Sequence, residues 1–271
     1  MIYTIKQIPD KKFSDKQDLV RFIKKNTSDI LLLKKSEYKT KSDCFIDKAL
    51  ILNNFTPQIE KSLGDIIEVK AIINTTNVID SHLDLHMKGI WNKTVKDNPY
   101  TYQLKQHEQS FESVISNKAK NINEVMTFKD LGINSDMELD ANINIFQIDK
   151  AKNPFMYEQY ADGNVTQHSV GMMYVNLDIA IQDEESEKEM EYFNNAIKNA
   201  INPEIAIEHG FVWVVTEAKK REGSSVVFGS NPLTPTLYVK TFEPSKNTQK
   251  HEPTIVTQKN QVTKFFNPNL I

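Results

Sequence analysis

Three short segments carry residues that could do chemistry. Gln106-His107-Glu108 offers an imidazole. Gln167-His168-Ser169-Val170-Gly171-Met172 offers a hydroxyl. The run from Arg221 to Thr236, REGSSVVFGSNPLTPT, offers a carboxylate at Glu222. A serine hydroxyl is a poor nucleophile at neutral pH; it needs a base to take its proton, and the base needs a partner to fix its tautomer. In that scheme Ser169 is the nucleophile, His107 the base and Glu222 the third member. Backbone N–H groups near Val170 and Gly171 are candidate oxyanion donors, because a glycine lets a substrate approach the backbone closely. Each residue also has an ordinary role: a strand serine, a surface His-Glu pair, a solvated loop carboxylate. His168 adjoins Ser169, but on a strand its side chain points to the opposite face, which places it poorly as the base.

A second constellation is Asp80, His82, Asp84 and His86, whose alternation would show four potential ligands on one strand face. Such residue types suit zinc or another divalent ion. Same-face neighbours along a strand are about 6–7 Å apart, so a bent loop would hold an ion better. The structural alternative, an acidic turn leading into Gly89 and Trp91, is preferred, and the expectation is no metal and no cofactor. The eight glycines never form Gly-x-Gly, so phosphate loops and dinucleotide fingerprints are absent.

These groups must be positioned by strands and helices that the pattern partly reveals. Ile66 to Ile73 is β-rich, and Asn142 to Ile148 is a strand with Ile143 and Ile145 on one face and Phe146 and Ile148 on the other. Val165 to Leu177 alternates as a long strand, with Ser169 and Gly171 on one face and His168, Val170, Met172, Tyr174 and Asn176 on the other. Val212 to Val215 and Ser225 to Phe228 are two further strands. Helices are expected from about Asp15 to Lys25, from Trp91 to Lys96, from Pro154 to near Gly163, and through Met190, Phe193, Ala196, Ile197 and Ile201, closed by Pro203. Residues 226–235, with Gly229, Asn231, Pro232 and Pro235, read as a strand end and turn that positions Glu222.

The chain has 271 residues and a net charge of −3, enough length for a substantial core and no electrostatic case for nucleic acid. A lone cysteine, Cys44, excludes an intramolecular disulfide and suits a reducing interior. No stretch approaches the ~20 apolar residues of a membrane span, and the N-terminus lacks a signal-peptide pattern, so a soluble intracellular protein is expected. Three regions follow. Residues 1–60 form an N-terminal appendage or docking lobe. Residues 61–243 form the main domain, with a helical insertion near 181–220. Residues 244–271 form a mobile tail with one apolar patch, Val262 to Phe266.

The segments Asn77 to Gly89 with Trp91, Leu104-Lys-Gln-His107, Gln167-His-Ser-Val-Gly171 and Glu222-Gly-Ser-Ser-Val-Val-Phe-Gly-Ser-Asn-Pro-Leu-Thr-Pro-Thr236 occur in an order that resembles the prohead (capsid maturation) proteases of tailed bacteriophages. That family is related in fold to the herpesvirus assemblins. The resemblance spans about Asp65 to Lys240. It implies an α/β (α+β) protein with a mostly antiparallel, barrel-like sheet flanked by helices. It places His on a strand after a leucine and puts the third triad member at Glu222. The assemblins instead use Ser-His-His, which keeps His168 as a rival third member. The implied function is a serine endopeptidase that cleaves scaffold protein, or the scaffold-like segment of the major capsid protein, inside an assembling prohead in the host cytoplasm. Self-cleavage and homo-oligomerisation stay open. The alternatives are a catalytically silent scaffold or capsid component of that fold, and a metal-dependent hydrolase using His82, Asp84 and His86.

Overall fold

The computed structural model describes residues 2–36 and 55–243. Cys44, the apolar element expected at 46–52 and the tail from 244 lie outside the described residues. In chain order the elements are β1 (Tyr3–Thr4), β2 (Lys12–Phe13), α1 (Lys16–Lys25), α2 (Thr27–Ser36), β3 (Gln58–Ile59), β4 (Ile66–Thr75), β5 (Asp84–His86) and α3 (Asn92–Asp97). They continue as β6 (Tyr100–Lys105), β7 (Val114–Thr127), β8 (Glu138–Asp149), α4 (Pro154–Ala161), β9 (Gln167–Ile181), α5 (Glu187–Ile197), α6 (Glu204–His209), β10 (Phe211–Val226) and β11 (Thr236–Thr241). None of the described helices is long and apolar enough to cross a membrane.

Helix starts follow local chemistry. The Asp15 side chain accepts the Gln17 N–H at 2.9 Å and opens α1, whose Leu19, Val20 and Ile23 turn inward on one stripe. Asn153 accepts the Met156 N–H ahead of Pro154 at the start of α4. Ser186 caps α5, which buries Phe193, Ala196 and Ile197. The two insertion helices occupy 187–209, and residues 211–220 belong to the sheet.

The fold is mixed α/β around a nine-stranded sheet of order β3-β11-β4-β8-β7-β6-β10-β5, with β9 also paired to β10. Most pairings are antiparallel; β10 with β5, β10 with β6, and β11 with β3 are parallel. The barrel-like expectation needs correction, because the sheet does not close. Among the described residues β9 pairs only with β10, although it approaches β4 across the interior. The stretch that could close the gap contains Pro232 and Pro235, which have no N–H to give a ladder. Side chains bridge it instead: Thr236 Oγ1 donates to the Val165 carbonyl at 2.6 Å, and Thr234 Oγ1 to the His168 carbonyl at 2.6 Å.

The interior of this sheet holds one apolar core shared by α1, α2, α4 and the strands, including Leu19, Ile23, Ile30, Val69, Phe146, Tyr160, Met172 and Trp213. Residues 2–36 therefore pack into the same core as the sheet. A second cluster joins α5 and α6 to β5 and β10 through Leu85, Phe193, Val212 and Val214. Ile143 lies in a third cluster with Ile72 and Leu139, on the other side from Phe146 and Ile148.

Candidate functional site

Strand β10 carries most of the site, as one 16-residue strand where two shorter ones are expected. Residues 213–215 pair with β5 and residues 222–225 with β6, while β9 runs along the other edge. Lys220 pairs with Met172 and Glu222 with Gly171, so Arg221 is an extra residue, a β-bulge. The bulge reverses the parity of the strand. Ahead of it Lys220 shares the inner face with Met172. Beyond it Glu222 and Ser224 share the outer face with Gly171 and Ser169, and Gly223 and Ser225 point inward. A second irregularity, at Val175 in β9, moves Asn176 to the exposed side and buries Leu177, against the expected uniform alternation.

Glu222 and His107 meet. Nδ1 of His107 lies 2.7 Å from Oε1 of Glu222, and the two side chains are only 7% and 6% exposed. An ionised carboxylate only accepts hydrogen bonds, so His107 carries its proton on Nδ1 and presents Nε2 as a base. The other carboxylate oxygen accepts from Ser224 Oγ at 2.8 Å, and Ser224 Oγ accepts from the His107 backbone N–H at 3.1 Å. His107 is not on a strand as expected. β6 ends at Lys105, and Gln106 and His107 both adopt left-handed backbone, with φ of 53° and 59°. Such angles cost a non-glycine residue about 1–2 kcal/mol each and gather at functional sites. The Gln106 N–H bonds the Ser225 carbonyl at 3.0 Å, which ties this turn to β10.

Ser169 lies directly across the ladder from Ser224. Directly opposed side chains have Cβ atoms about 4.5–5.5 Å apart. Ser169 thus shares one face and one neighbourhood with Ser224, Glu222 and His107. Among the described residues no hydrogen bond joins Ser169 to His107; catalytic contacts in unliganded sites are often loose in this way. The N–H and C=O of His168 both bond Thr234 Oγ1, on the side away from β10. In an antiparallel strand these directions alternate. The Val170 N–H therefore points to the open edge of β9, whereas the Gly171 N–H belongs to the ladder with β10. Of the two oxyanion candidates, only Val170 points its N–H away from the ladder with β10.

His168 is fully committed elsewhere. Its Nδ1 lies 2.9 Å from the Thr234 carbonyl, which must accept, so Nε2 accepts from Tyr160 Oη at 2.9 Å. Burial pushes its pKa down to about 4. The chain continues inward from Tyr160 to Ser225 Oγ at 2.6 Å, to Gln103 Nε2 at 3.2 Å, and from Gln103 Oε1 to Asn144 Nδ2 at 2.8 Å. It ends at Lys220, whose ammonium donates to Oδ1 of Asn121, Asn142 and Asn144 at 3.0, 2.7 and 2.7 Å. Burial lowers the Lys220 pKa to about 7, and three acceptors match the three N–H bonds of its charged form. The 229–235 turn fastens the end of β4 and the start of β9 rather than Glu222: Asn231 Nδ2 donates to the Thr75 carbonyl at 2.9 Å, and the Gly229 N–H donates to Gln167 Oε1 at 2.8 Å.

The acidic cluster is bent, not extended. Asp80 Oδ1 accepts the N–H groups of His82 and Asp84 at 2.8 and 3.0 Å, and Leu83 has a φ of 58°. Ligand atoms of Asp80, Asp84 and His86 come within 4.8 Å of one another. His82 leaves the group; its Nδ1 lies 3.2 Å from Lys6 Nζ. Sequence reasoning missed Lys34. Its ammonium, 1% exposed on α2, sits 2.8 Å from Asp84 Oδ1, and Tyr174 Oη donates to Asp84 Oδ2 at 2.5 Å. His86 Nδ1 and Trp91 Nε1 both meet Asn74 Oδ1, at 2.9 and 3.0 Å. Trp91 is packed in the core, as the acidic-turn expectation has it.

A cleft of about 470 Å³ opens beside Glu222, lined by Tyr102, Leu104, Gln109, Ser110, Phe111, Val114 and Arg221. Phe111 is 96% exposed. It and Val114 also line a groove of about 900 Å³ that reaches Phe155. No protein family, no curated protein and no solved structure matches this chain.

Proposed function

We propose that this chain is a serine endopeptidase of the assemblin-like prohead type, with Ser169 as nucleophile, His107 as general base and Glu222 as its orienting carboxylate. The observation that carries the reading is the 2.7 Å contact between His107 and Glu222, which lie 115 positions apart and face the same way as Ser169. In the reaction the Ser169 hydroxyl attacks the scissile carbonyl while His107 Nε2 takes its proton. Glu222 holds the imidazolium that forms, and the Val170 N–H faces the developing oxyanion. His107 then protonates the leaving amine, and water releases the acyl group by the same path. The open cleft and its continuation past Phe111 suit an extended polypeptide rather than a small ligand. From the resemblance, the substrates are scaffold protein, or the scaffold-like segment of the capsid protein, in the assembling prohead. The test is co-expression with the capsid and scaffold proteins followed by mass spectrometry of their termini. New termini with the intact chain and none with Ser169→Ala support the reading; identical termini in both defeat it.

The convergence of Asp80, Asp84 and His86 favours a second reading, a divalent-ion site. The ion would compete with the Lys34 ammonium, which already pairs with Asp84. Stoichiometric metal in the purified protein, with activity lost on its removal and restored on its return, would establish it.

A further inference from the structure

Ser224 is a serine within the candidate site for which the triad has no use. It is fully buried, directly opposite Ser169, and its single hydroxyl makes contacts of two kinds. It donates to Glu222 Oε2 at 2.8 Å and accepts the His107 backbone N–H at 3.1 Å. Glu222 Oε1 is meanwhile taken by His107 Nδ1. The three residues therefore close a ring: backbone of His107 to Ser224, Ser224 to Glu222, Glu222 to the imidazole of His107. Remove any one link and the other two no longer determine the imidazole's position.

The ring matters because of the backbone it restrains. Gln106 and His107 are consecutive left-handed residues with side chains, a conformation that relaxes unless its surroundings hold it. The Gln106 N–H to Ser225 carbonyl bond fixes the first residue, and Ser224 fixes the second. The carboxylate has a matching need. A buried Glu222 with one oxygen unbonded could rotate and lose its alignment with Nδ1; the Ser224 donor blocks that rotation.

We propose that Ser224 is a positioning residue, which sets the direction of His107 Nε2 through the His107 backbone and the Glu222 carboxylate at once. This rests on the serine-protease reading of the same site. Ser224 does not attack substrate: its proton is given to Glu222, and the Nδ1 of His107 that faces this carboxylate bears a proton rather than a lone pair.

The test uses a serine-directed fluorophosphonate on the full chain. Ser169 Oγ attacks phosphorus, fluoride leaves, and the hydroxyl proton passes to His107 Nε2, so the labelling rate reads the alignment of the pair without a natural substrate. Peptide mapping identifies the labelled residue. Ser224→Ala is expected to label Ser169 about 10- to 100-fold more slowly, the scale of a small misplacement of a catalytic group. Ser224→Thr, which returns the hydroxyl, should restore most of that rate. Circular dichroism at the labelling temperature establishes that each variant is folded. Ser224→Cys keeps the volume with a weak donor, and stands in should the alanine variant not fold; it should lose at least about tenfold. A folded Ser224→Ala that labels as fast as wild type overturns the proposal. So does a folded Ser224→Thr as slow as alanine, because the hydroxyl would then not be the cause. Label on Ser224 itself overturns it too. Wild type that takes no label at Ser169 defeats the protease reading instead.

Discussion

Acid should weaken this fold through His168, independently of any catalysis. The imidazole is neutral in the folded chain because its Nδ1 proton is given to Thr234 and its Nε2 lone pair to Tyr160, in a fully buried place. Its folded pKa is about 4, against an ordinary value of 6.5. The unfolded chain therefore takes up a proton that the folded chain refuses. Stability from this group is whole above pH 6.5 and is lost as pH falls toward 4. A difference of about 2.5 pH units, at about 1.4 kcal/mol each, amounts to about 3 kcal/mol, of which about 2.5 is gone by pH 4.5. With a urea slope of about 3 kcal/mol/M, the unfolding midpoint should fall by roughly 0.8 M between pH 7.5 and 4.5 from this residue alone. Other carboxylates titrate in the same range, so the comparison is with His168→Phe, which keeps a ring against Tyr160. That variant should be weaker by about 1–3 kcal/mol at pH 7.5, because the Thr234 carbonyl loses its donor. It should lack the His168 share of the acid decline. A variant whose midpoint falls with pH as steeply as wild type would show that His168 is not held neutral, and the hydrogen-bond assignment would be wrong.

Three further outcomes follow from the same contacts. Ser169→Ala should abolish cleavage and leave thermal unfolding within a few degrees, since a part-exposed oxygen is all that is removed; residual trimming at the wild-type rate excludes Ser169. His107→Ala should lower the cleavage rate by three or more orders of magnitude and cost about 1–3 kcal/mol of stability, because Glu222 Oε1 is left buried without its donor, whereas substitution of His168 should act on stability with much less effect on rate; the reverse pattern in folded proteins would exchange their roles. Lys34→Met should destabilise by about 3–5 kcal/mol, because it leaves Asp84 buried without its cation, and adding Asp84→Asn should recover part of the loss. An additive double variant in urea unfolding would deny the pairing.

What could be read from the sequence was local. The helix start near Asp15, the helical spacing of Met190 to Ile197 and the alternation around Ser169 are set by residues a few positions apart and stand where the pattern places them, although α5 stops at Ile197, short of the expected Ile201 and Pro203. What escaped depended on partners far along the chain. Thr216 to Arg221 looks like a polar break between strands, yet Glu217, Lys219 and Arg221 simply line the wetter face of β10, and Lys220 is held inside by hydrogen bonds to asparagines from β7 and β8. Nothing near Lys34 in sequence marks it for burial; its partner Asp84 lies fifty residues on and is met only where α2 packs over it. The left-handed turn at His107 has no glycine or asparagine to announce it. Its cost is met by bonds from Ser224 and Ser225, more than a hundred residues later.

The bulge at Arg221 has a consequence for how this chain tolerates change. Facing in a strand is a binary property, and one supernumerary residue inverts it for everything on one side. Substitution at Arg221 alters an exposed side chain at the cleft wall and leaves the facing of every other residue as it was. Deletion of Arg221 would put the strand back in phase with Lys220 and turn the Glu222-Ser224 pair into the core, or expel Lys220 from its asparagine cage to keep them out. Conservative and drastic edits at this one position thus differ by topology rather than by chemistry. The spacing between a cation on one face of the strand and an acid on the other is stored as a residue count, which no choice of side chain can replace.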